Sequence, residues 1–255
     1  MSTPGTYKVI YKIKDSNGND NKIERTVNVL KKGPDNQKVA VLNYHFFYSR
    51  DDEYCNSIIC LHVDKFREQL KYLKDNGFYT LTIKEFRDWM YGEYNIPEKS
   101  VLLTVDDGGN GTSIKTGNYL ISSLEEYKAH ATLFLITGWW PPEDYKSDYL
   151  DIQSHTNLLH FEDYCGHRSR VNCIPYDELL EDLKISIAIL KDSTAFCFPY
   201  YETTPTSIKA VKEAGFDIAF VGDDYKASRN SDKYKIPRYI VHKSITLEKF
   251  KSMVN

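Results

Sequence analysis

The chain has 255 residues, with 33 Lys and Arg against 36 Asp and Glu, for a formal net charge of -3 at pH 7. That balance argues against a broadly basic surface for nucleic acid or anionic membrane, and no apolar run reaches the length of a membrane span. The length suits one large α/β domain with a small appendage, and no secretory signal is read at its start.

Residues 4–31 read as a β-hairpin. Tyr7, Val9, Tyr11 and Ile13 alternate with polar residues, Asp15-Ser16-Asn17-Gly18-Asn19 supplies turn chemistry, and Val27 and Val29 alternate again. The run from Pro4-Gly5-Thr6-Tyr7 through that turn to Arg25-Thr26-Val27-Asn28-Val29 resembles the last two strands of bacterial immunoglobulin-like modules on secreted surface proteins. A lone hairpin is marginally stable, so it either packs on the main domain or has partner strands upstream. Residues 1–32 are therefore assigned to a partial immunoglobulin-like β segment. Lys31-Lys32-Gly33-Pro34-Asp35 reads as linker, with boundaries set at 33–37.

From Lys38 onward strand and helix signals alternate, the pattern of a parallel α/β domain over 38–255. The strand candidates are Val39–Tyr44, Tyr79–Thr82, Val101–Val105, Ala131–Ile136, Tyr149–Ile152, Ala195–Phe198, Asp217–Val221 and Arg238–Val241. Amphipathic stretches lie between them. Phe66, Leu70 and Leu73 repeat at helical spacing, and others follow Lys84, Ser113, Tyr176, Pro205 and Leu247, several behind Thr, Ser or Pro start signals. This repetition predicts a (β/α) barrel, distorted or incomplete, with chemistry at the C-terminal ends of its strands. A flat doubly wound sheet satisfies the same strand count.

Five cysteines without a CxxC pair argue against a zinc ribbon and a thioredoxin-type motif. Cys55 with Cys60, and Cys165 with Cys173, are spaced for local disulfides in an oxidising compartment. The 20 Tyr, 12 Phe and 3 Trp suit a groove that stacks sugar rings, and equally an ordinary core.

The chemistry concentrates in three motifs. In Thr104-Val105-Asp106-Asp107-Gly108, two adjacent carboxylates emerge where the apolar run Val101-Leu102-Leu103 meets its loop. Neighbouring carboxylates repel and raise each other's pKa unless a cation or hydrogen bonds compensate, so the pair reads as a metal site, a divided acid/base pair, or a plain Asp-Asp-Gly turn. Fifty residues on, Ser154-His155-Thr156-Asn157-Leu158-Leu159-His160 places two histidines five apart. Such positions point roughly 140° apart on a helix and to opposite faces of a strand, so they share a metal only across a bent loop. Two imidazoles and one carboxylate form a first-row metal set that leaves room for water. The third motif is Phe196-Cys197-Phe198-Pro199-Tyr200.

The order and rough spacing of these motifs resemble the NodB-like polysaccharide deacetylases. Leu42-Asn43-Tyr44-His45, Ala131-Thr132-Leu133-Phe134, Ala214-Gly215-Phe216 and Ile236-Pro237-Arg238 support the likeness, which runs from about Lys38 to the C-terminus. The resemblance implies the incomplete-barrel fold of that family. It implies that Asp106 is the general base and that Asp107, His155 and His160 hold one divalent metal ion, zinc first, with cobalt, nickel or iron as alternatives. The backbone N–H of Tyr200, after Pro199, would face the developing oxyanion. The five-residue histidine step resembles the branch acting on poly-N-acetylglucosamine.

His242, ending the last strand signal, is the candidate acid for the leaving amine, and His45, ending the first, could line the same pocket. Trp139 and Trp140 follow a strand and form a candidate sugar-stacking rim. His130 and His167 read as ordinary histidines. Two features depart from the family: Cys197 stands where many relatives have an arginine that orients the catalytic aspartate, and no Asp-Trp motif is present. The resulting expectation is a secreted or cell-surface metal-dependent hydrolase that removes acetyl groups from N-acetylglucosamine residues of a polysaccharide. The polymer would be poly-N-acetylglucosamine, peptidoglycan or a chitin-like chain. An O-deacetylase of acetylated xylan, or a non-catalytic carbohydrate-binding or adhesive module, is the alternative.

Overall fold

The computed structural model describes residues 3–49, 55 and 57–255. The N-terminal hairpin is present: Gly5–Lys14 (β1) pairs antiparallel with Asp20–Val29 (β2), setting Tyr7 opposite Val27 and Tyr11 opposite Ile23. The Asp15 carboxylate closes the turn by accepting the N–H groups of Asn17 and Asn19 at 2.9 and 2.8 Å. Alternation puts Tyr7, Val9, Tyr11, Ile13, Ile23 and Val27 on one side of this ribbon. That side is poorly covered, with Tyr11, Ile13 and Ile23 48%, 57% and 55% exposed.

The expected linker is pinned to the main domain. Lys32 bridges to Pro97, the Gly33 N–H donates to the Ile96 carbonyl, and the Gln37 amide donates to the carbonyls of Pro97 and Glu98 at 2.7 and 3.0 Å. A Cβ on Gly33 would fall 1.7 Å from the Gln37 side chain, so this tuck needs glycine or a displaced glutamine.

The main domain then runs Lys38–Tyr44 (β3), Phe46–Tyr48 (β4), Cys60–His62 (β5), Val63–Asp75 (α1), Tyr79–Thr80 (β6), Ile83–Met90 (α2), Ser100–Asp107 (β7) and Tyr119–Tyr127 (α3). It continues with Ala131–Leu135 (β8), Leu150–Ser154 (β9), Tyr176–Leu190 (α4), Ala195–Cys197 (β10), Pro205–Ala214 (α5), Ile218–Phe220 (β11), Ala227–Ser228 (β12), Tyr239–Ile240 (β13) and Leu247–Val254 (α6). Each strand candidate from the sequence becomes a strand. The candidate at Tyr149–Ile152 is realised as Leu150–Ser154, starting one residue later and ending two later, which brings its end directly against His155. The β4/β5 pair and β12 carry no alternation long enough to read in sequence.

The sheet runs β11-β10-β9-β8-β7-β3-β12, with β6 on β7 and β13 on β3. Among the described residues its pairs are parallel, except that β12 runs antiparallel to β3. Residues 236–240 join the two ends of this path: Ile236 bridges Phe220 of β11, while Tyr239 and Ile240 pair with Leu42 and Asn43 of β3. The sheet is therefore curled, a distorted barrel rather than the flat doubly wound alternative.

Packing follows strand parity. Val39, Val41, Leu102, Phe134, Cys197, Ile218 and Phe220 fill the interior, plugged at one end by Phe86, Trp89 and Met90 of α2. Ala40, Leu42, Leu103 and Leu133 face outward onto α1, α3 and α6, and Phe196 and Ala219 face outward onto α4 and α5. Helix α2 starts where the sequence signals it, with Thr82 and Glu85 forming a capping box. Because the ribbon contributes little to these cores, a chain lacking residues 3–29 is expected to melt within about 2 °C of the full protein, well under about 1 kcal/mol. Thermal unfolding of both chains checks this, and a larger loss would show that the ribbon packs on the domain.

Candidate active site

Strand β7 delivers the two carboxylates. Asp106 shares parity with Leu102 and Thr104 and points into the barrel, where it is 1% exposed. Its neighbour would face the opposite way in a continuing strand. Asp107 instead adopts a left-handed backbone, φ 75°, and both carboxylates line one opening.

The histidine loop bends as the five-residue step requires. His155 follows β9 and its N–H donates to the Leu135 carbonyl, and Thr156 turns the chain at φ 75°. The N–H groups of Asn157 and Leu158 are then both held by the Asp182 carboxylate of α4, each at 2.8 Å. On the other side the loop lies against Gly138, where a Cβ would sit 2.6 Å from the Asn157 carbonyl oxygen. The result brings His155 Nε2 to 3.3 Å and His160 Nε2 to 3.2 Å from Asp107 Oδ1, with the two ring centroids 4.7 Å apart.

These three ligand atoms fit a cation. His155 Nδ1 lies 2.8 Å from the Cys197 carbonyl oxygen, which can only accept, so Nδ1 carries the proton and Nε2 presents a lone pair toward Asp107. Asp107 Oδ1 is buried and makes no hydrogen bond. An imidazole lone pair and a carboxylate oxygen facing each other repel unless positive charge lies between them. Burial pushes the Asp107 carboxyl up, but the two imidazoles outweigh it and hold it well below the usual range. Burial likewise opposes charge on His155, yet Cys197 and the Asp107 and Asp106 carboxylates outweigh it and raise its pKa well above the ordinary value, so positive charge between Nε2 and Asp107 is favoured, either as a proton or as a cation that takes the proton's place. Two imidazoles and one carboxylate with an open side form a donor set suited to zinc and its first-row neighbours.

Asp106 is compensated differently. Arg238, wholly buried, grips it with two hydrogen bonds, Nη1 to Oδ1 at 2.7 Å and Nη2 to Oδ2 at 2.8 Å. The same guanidinium donates to Thr104 Oγ1, the Cys197 sulfur and the Val221 carbonyl, and lies over the rings of Phe134, Tyr201 and Phe220. Burial raises the Asp106 pKa, but the Arg238 charge and hydrogen bonds more than reverse it, so the group stays ionised at neutral pH. Arg238 was visible in the sequence only as part of the supporting Ile236-Pro237-Arg238 match. Its partner lies 132 positions away, and no local pattern links them. It supplies from the far side of the barrel the arginine that Cys197 lacks.

Of the other candidates, His45 lies beside this pair, with Nε2 4.0 Å from Asp106 Oδ2 and 3.3 Å from the Tyr201 hydroxyl. Its burial outweighs the nearby carboxylates and lowers its pKa. Pro199 is buried and opens a short 3-10 turn, and Tyr200 follows at φ 57° with its ring stacked 5.0 Å from His160. N–H groups at such a start have no partner within the helix, which leaves the Tyr200 N–H for other acceptors. Trp139 is 40% exposed and sets its edge on His160, 5.8 Å between centroids. Trp140 instead packs against Gly108 and Gly109, where added Cβ atoms would come within 2.9 and 2.7 Å of its ring, so it anchors the loop after the carboxylates.

His45, Ile59, Asp106, Asp107, His155, His160, Arg168, Tyr200 and Tyr201 enclose a cavity of ≈ 180 Å³. His242 is not among them. It lines a neighbouring cavity beyond Ile59 and Tyr201. Both local cysteine pairs, Cys55–Cys60 and Cys165–Cys173, are disulfide-bonded, and Cys197 is free and buried.

Two substitutions test these supports. Arg238→Met leaves the Asp106 carboxylate buried without its partner and is expected to cost about 3–5 kcal/mol in denaturant unfolding. In the wild type the depressed Asp106 pKa contributes stability fully above about pH 4, and that contribution fades as the pH falls through the lower folded value. The deficit of the variant should therefore narrow in acid, and a cost constant with pH would contradict the assignment. Asp182→Ala frees the bend between the histidines and should weaken zinc binding by about 10–100-fold in calorimetric titration. Unchanged affinity would show that the loop holds its shape without that carboxylate.

Residues 93–219 match the family model for polysaccharide deacetylase. The poly-beta-1,6-N-acetyl-D-glucosamine N-deacetylase of Staphylococcus aureus is 26% identical over 219 residues, spanning 78% of this chain and 73% of the relative. Among solved structures, a de-N-acetylase from Aggregatibacter actinomycetemcomitans superposes with a TM-score of 0.71 at 18% identity, covering 85% of this chain and 100% of that one. A polysaccharide deacetylase from Bacillus cereus gives 0.68 at 21% identity and covers 99% of this chain and 78% of that one. With the curled parallel sheet and the sequence match in agreement, the chain belongs to the polysaccharide deacetylase family.

Proposed function

We propose that this protein is a metal-dependent hydrolase that removes acetyl groups from N-acetylglucosamine residues of a polysaccharide, with poly-β-1,6-N-acetylglucosamine as the favoured polymer. The observation that carries this reading is the convergence of His155, His160 and Asp107 within 3.3 Å, beside an ionised Asp106. An amide is a poor electrophile and water a poor nucleophile at neutral pH, so both must be activated. A divalent cation, zinc first, held by Asp107, His155 and His160 would lower the pKa of its water from about 15.7 toward about 7 and polarise the acetyl carbonyl.

The chain's own groups complete the reaction. Asp106, held in one orientation by Arg238, accepts the proton of the attacking water. The Tyr200 N–H faces the oxyanion. His45 stands next to Asp106 and is the histidine within the pocket that can pass a proton to the departing amine, a role the sequence suggested for His242. Trp139, at the edge of His160, offers an apolar face for a sugar ring.

Two local disulfides favour an oxidising, extracellular setting, in keeping with a secreted or cell-surface polymer as substrate. The uncovered apolar side of the β1/β2 ribbon supports reading residues 1–32 as the end of an immunoglobulin-like module.

Acetate release from poly-β-1,6-N-acetylglucosamine, chitooligosaccharide and acetylxylan tests the substrate class. Release from the first two without the third supports N-deacetylation. Release from xylan alone supports an O-deacetylase, and binding without turnover in zinc-replete protein supports a carbohydrate-binding module. Within the same assay, Asp107→Ala is expected to lose both bound zinc and activity, whereas Asp106→Asn keeps zinc and loses about 10²–10⁴-fold in kcat. Full zinc content in Asp107→Ala, measured by elemental analysis, would remove that residue from the ligand set.

A further inference from the structure

We propose that the cavity beyond Ile59 and Tyr201 is a second sugar subsite, which takes the N-acetylhexosamine residue next to the one being deacetylated. This rests on the deacetylase reading above. The reaction cavity, ≈ 180 Å³, is smaller than the roughly 300–1,000 Å³ of sites that hold a small ligand by themselves. A substrate bound there must extend beyond it. The adjoining cavity measures ≈ 500 Å³ and has two lining residues, Ile59 and Tyr201, in common with the reaction pocket, which makes it the neighbouring space for the next sugar of a bound chain.

Its lining matches a pyranose. Ile58, Ile240, Ile245 and Met253 offer an apolar surface for the C–H face of the ring and its acetyl methyl. Asp224, His242 and Lys249 supply polar groups for hydroxyls. Among the described residues, neither Asp224 nor Lys249 is engaged in an ion pair, and His242 uses only Nδ1, which accepts the Ser244 N–H at 3.3 Å. The cavity lies outside the cation and base positions, so what binds in it acts through placement. Binding energy gained from a non-reacting sugar can be used to orient the reacting one, and this appears in kcat as well as KM.

The test compares the zinc-loaded wild type with Ile245→Trp, which fills the cavity, and with Asp224→Ala/Lys249→Ala, which removes polar groups without adding bulk. Substrates are N-acetylglucosamine and its β-1,6-linked dimer and pentamer. In the wild type kcat/KM should rise at least about tenfold from monomer to the longer substrates, an increment of about 1.4 kcal/mol. Ile245→Trp should abolish that rise while monomer turnover stays the same. The double variant should reduce it about two- to tenfold. Equal losses on all lengths, or no loss on any, would overturn the subsite.

Calorimetric binding of the pentamer separates this inference from the reading it rests on. A wild type that releases no acetate from any length refutes the deacetylase. Pentamer affinity left intact by Ile245→Trp and by the double variant refutes the subsite, whatever the turnover.

Discussion

Two adjacent carboxylates at the inner end of one buried strand are the constraint to which the rest of this structure answers. Asp106 and Asp107 cannot both stay ionised away from water unless each finds positive charge. The fold meets the two demands in different ways. Asp106 receives a permanent cation, the Arg238 guanidinium, through two short hydrogen bonds. Asp107 receives two imidazoles whose lone pairs and protons can rearrange, a partner set that accepts a divalent ion. One carboxylate is thereby held ionised and in one orientation, and the other is left facing the two imidazoles.

The location of Arg238 ties this electrostatic arrangement to the architecture. It lies between Ile236, which bridges β11, and Tyr239, which pairs with β3, on the segment that spans the two ends of the curled sheet. Closing the sheet and neutralising Asp106 are consequently one event. The guanidinium also lies over three aromatic rings, those of Phe134, Tyr201 and Phe220.

The histidine side depends on a similar coupling. His155 is fixed by its ring hydrogen bond to the Cys197 carbonyl, and so by β10, while His160 follows a bend whose Asn157 and Leu158 N–H groups are gathered by Asp182 of α4. Tyr200 stacks against His160 and Arg168 lies over Tyr200, so one wall of the pocket is built around the His160 ring. Ile59 and Tyr201 line both this pocket and the larger cavity beside it.

The sequence by itself determined the alternation of strands and helices, the hairpin with its Asn-Gly turn, and the motif residues Asp106, Asp107, His155 and His160. Each is a local pattern, a period of two or 3.6, a turn composition or a short spacing, and local patterns survive in one dimension. It also showed that Cys197 left the aspartate without its usual arginine, but not what replaces it. Tertiary structure decided the rest: that Arg238 fills that place from 132 positions away, that His45 and not His242 lines the pocket, and that Trp140 supports a loop while Trp139 faces outward. Those outcomes depend on how a curled sheet brings distant strand ends together and on which side chain a packed loop turns inward. Neither leaves a periodic trace in the chain, because the contacts are made across the barrel and not along it.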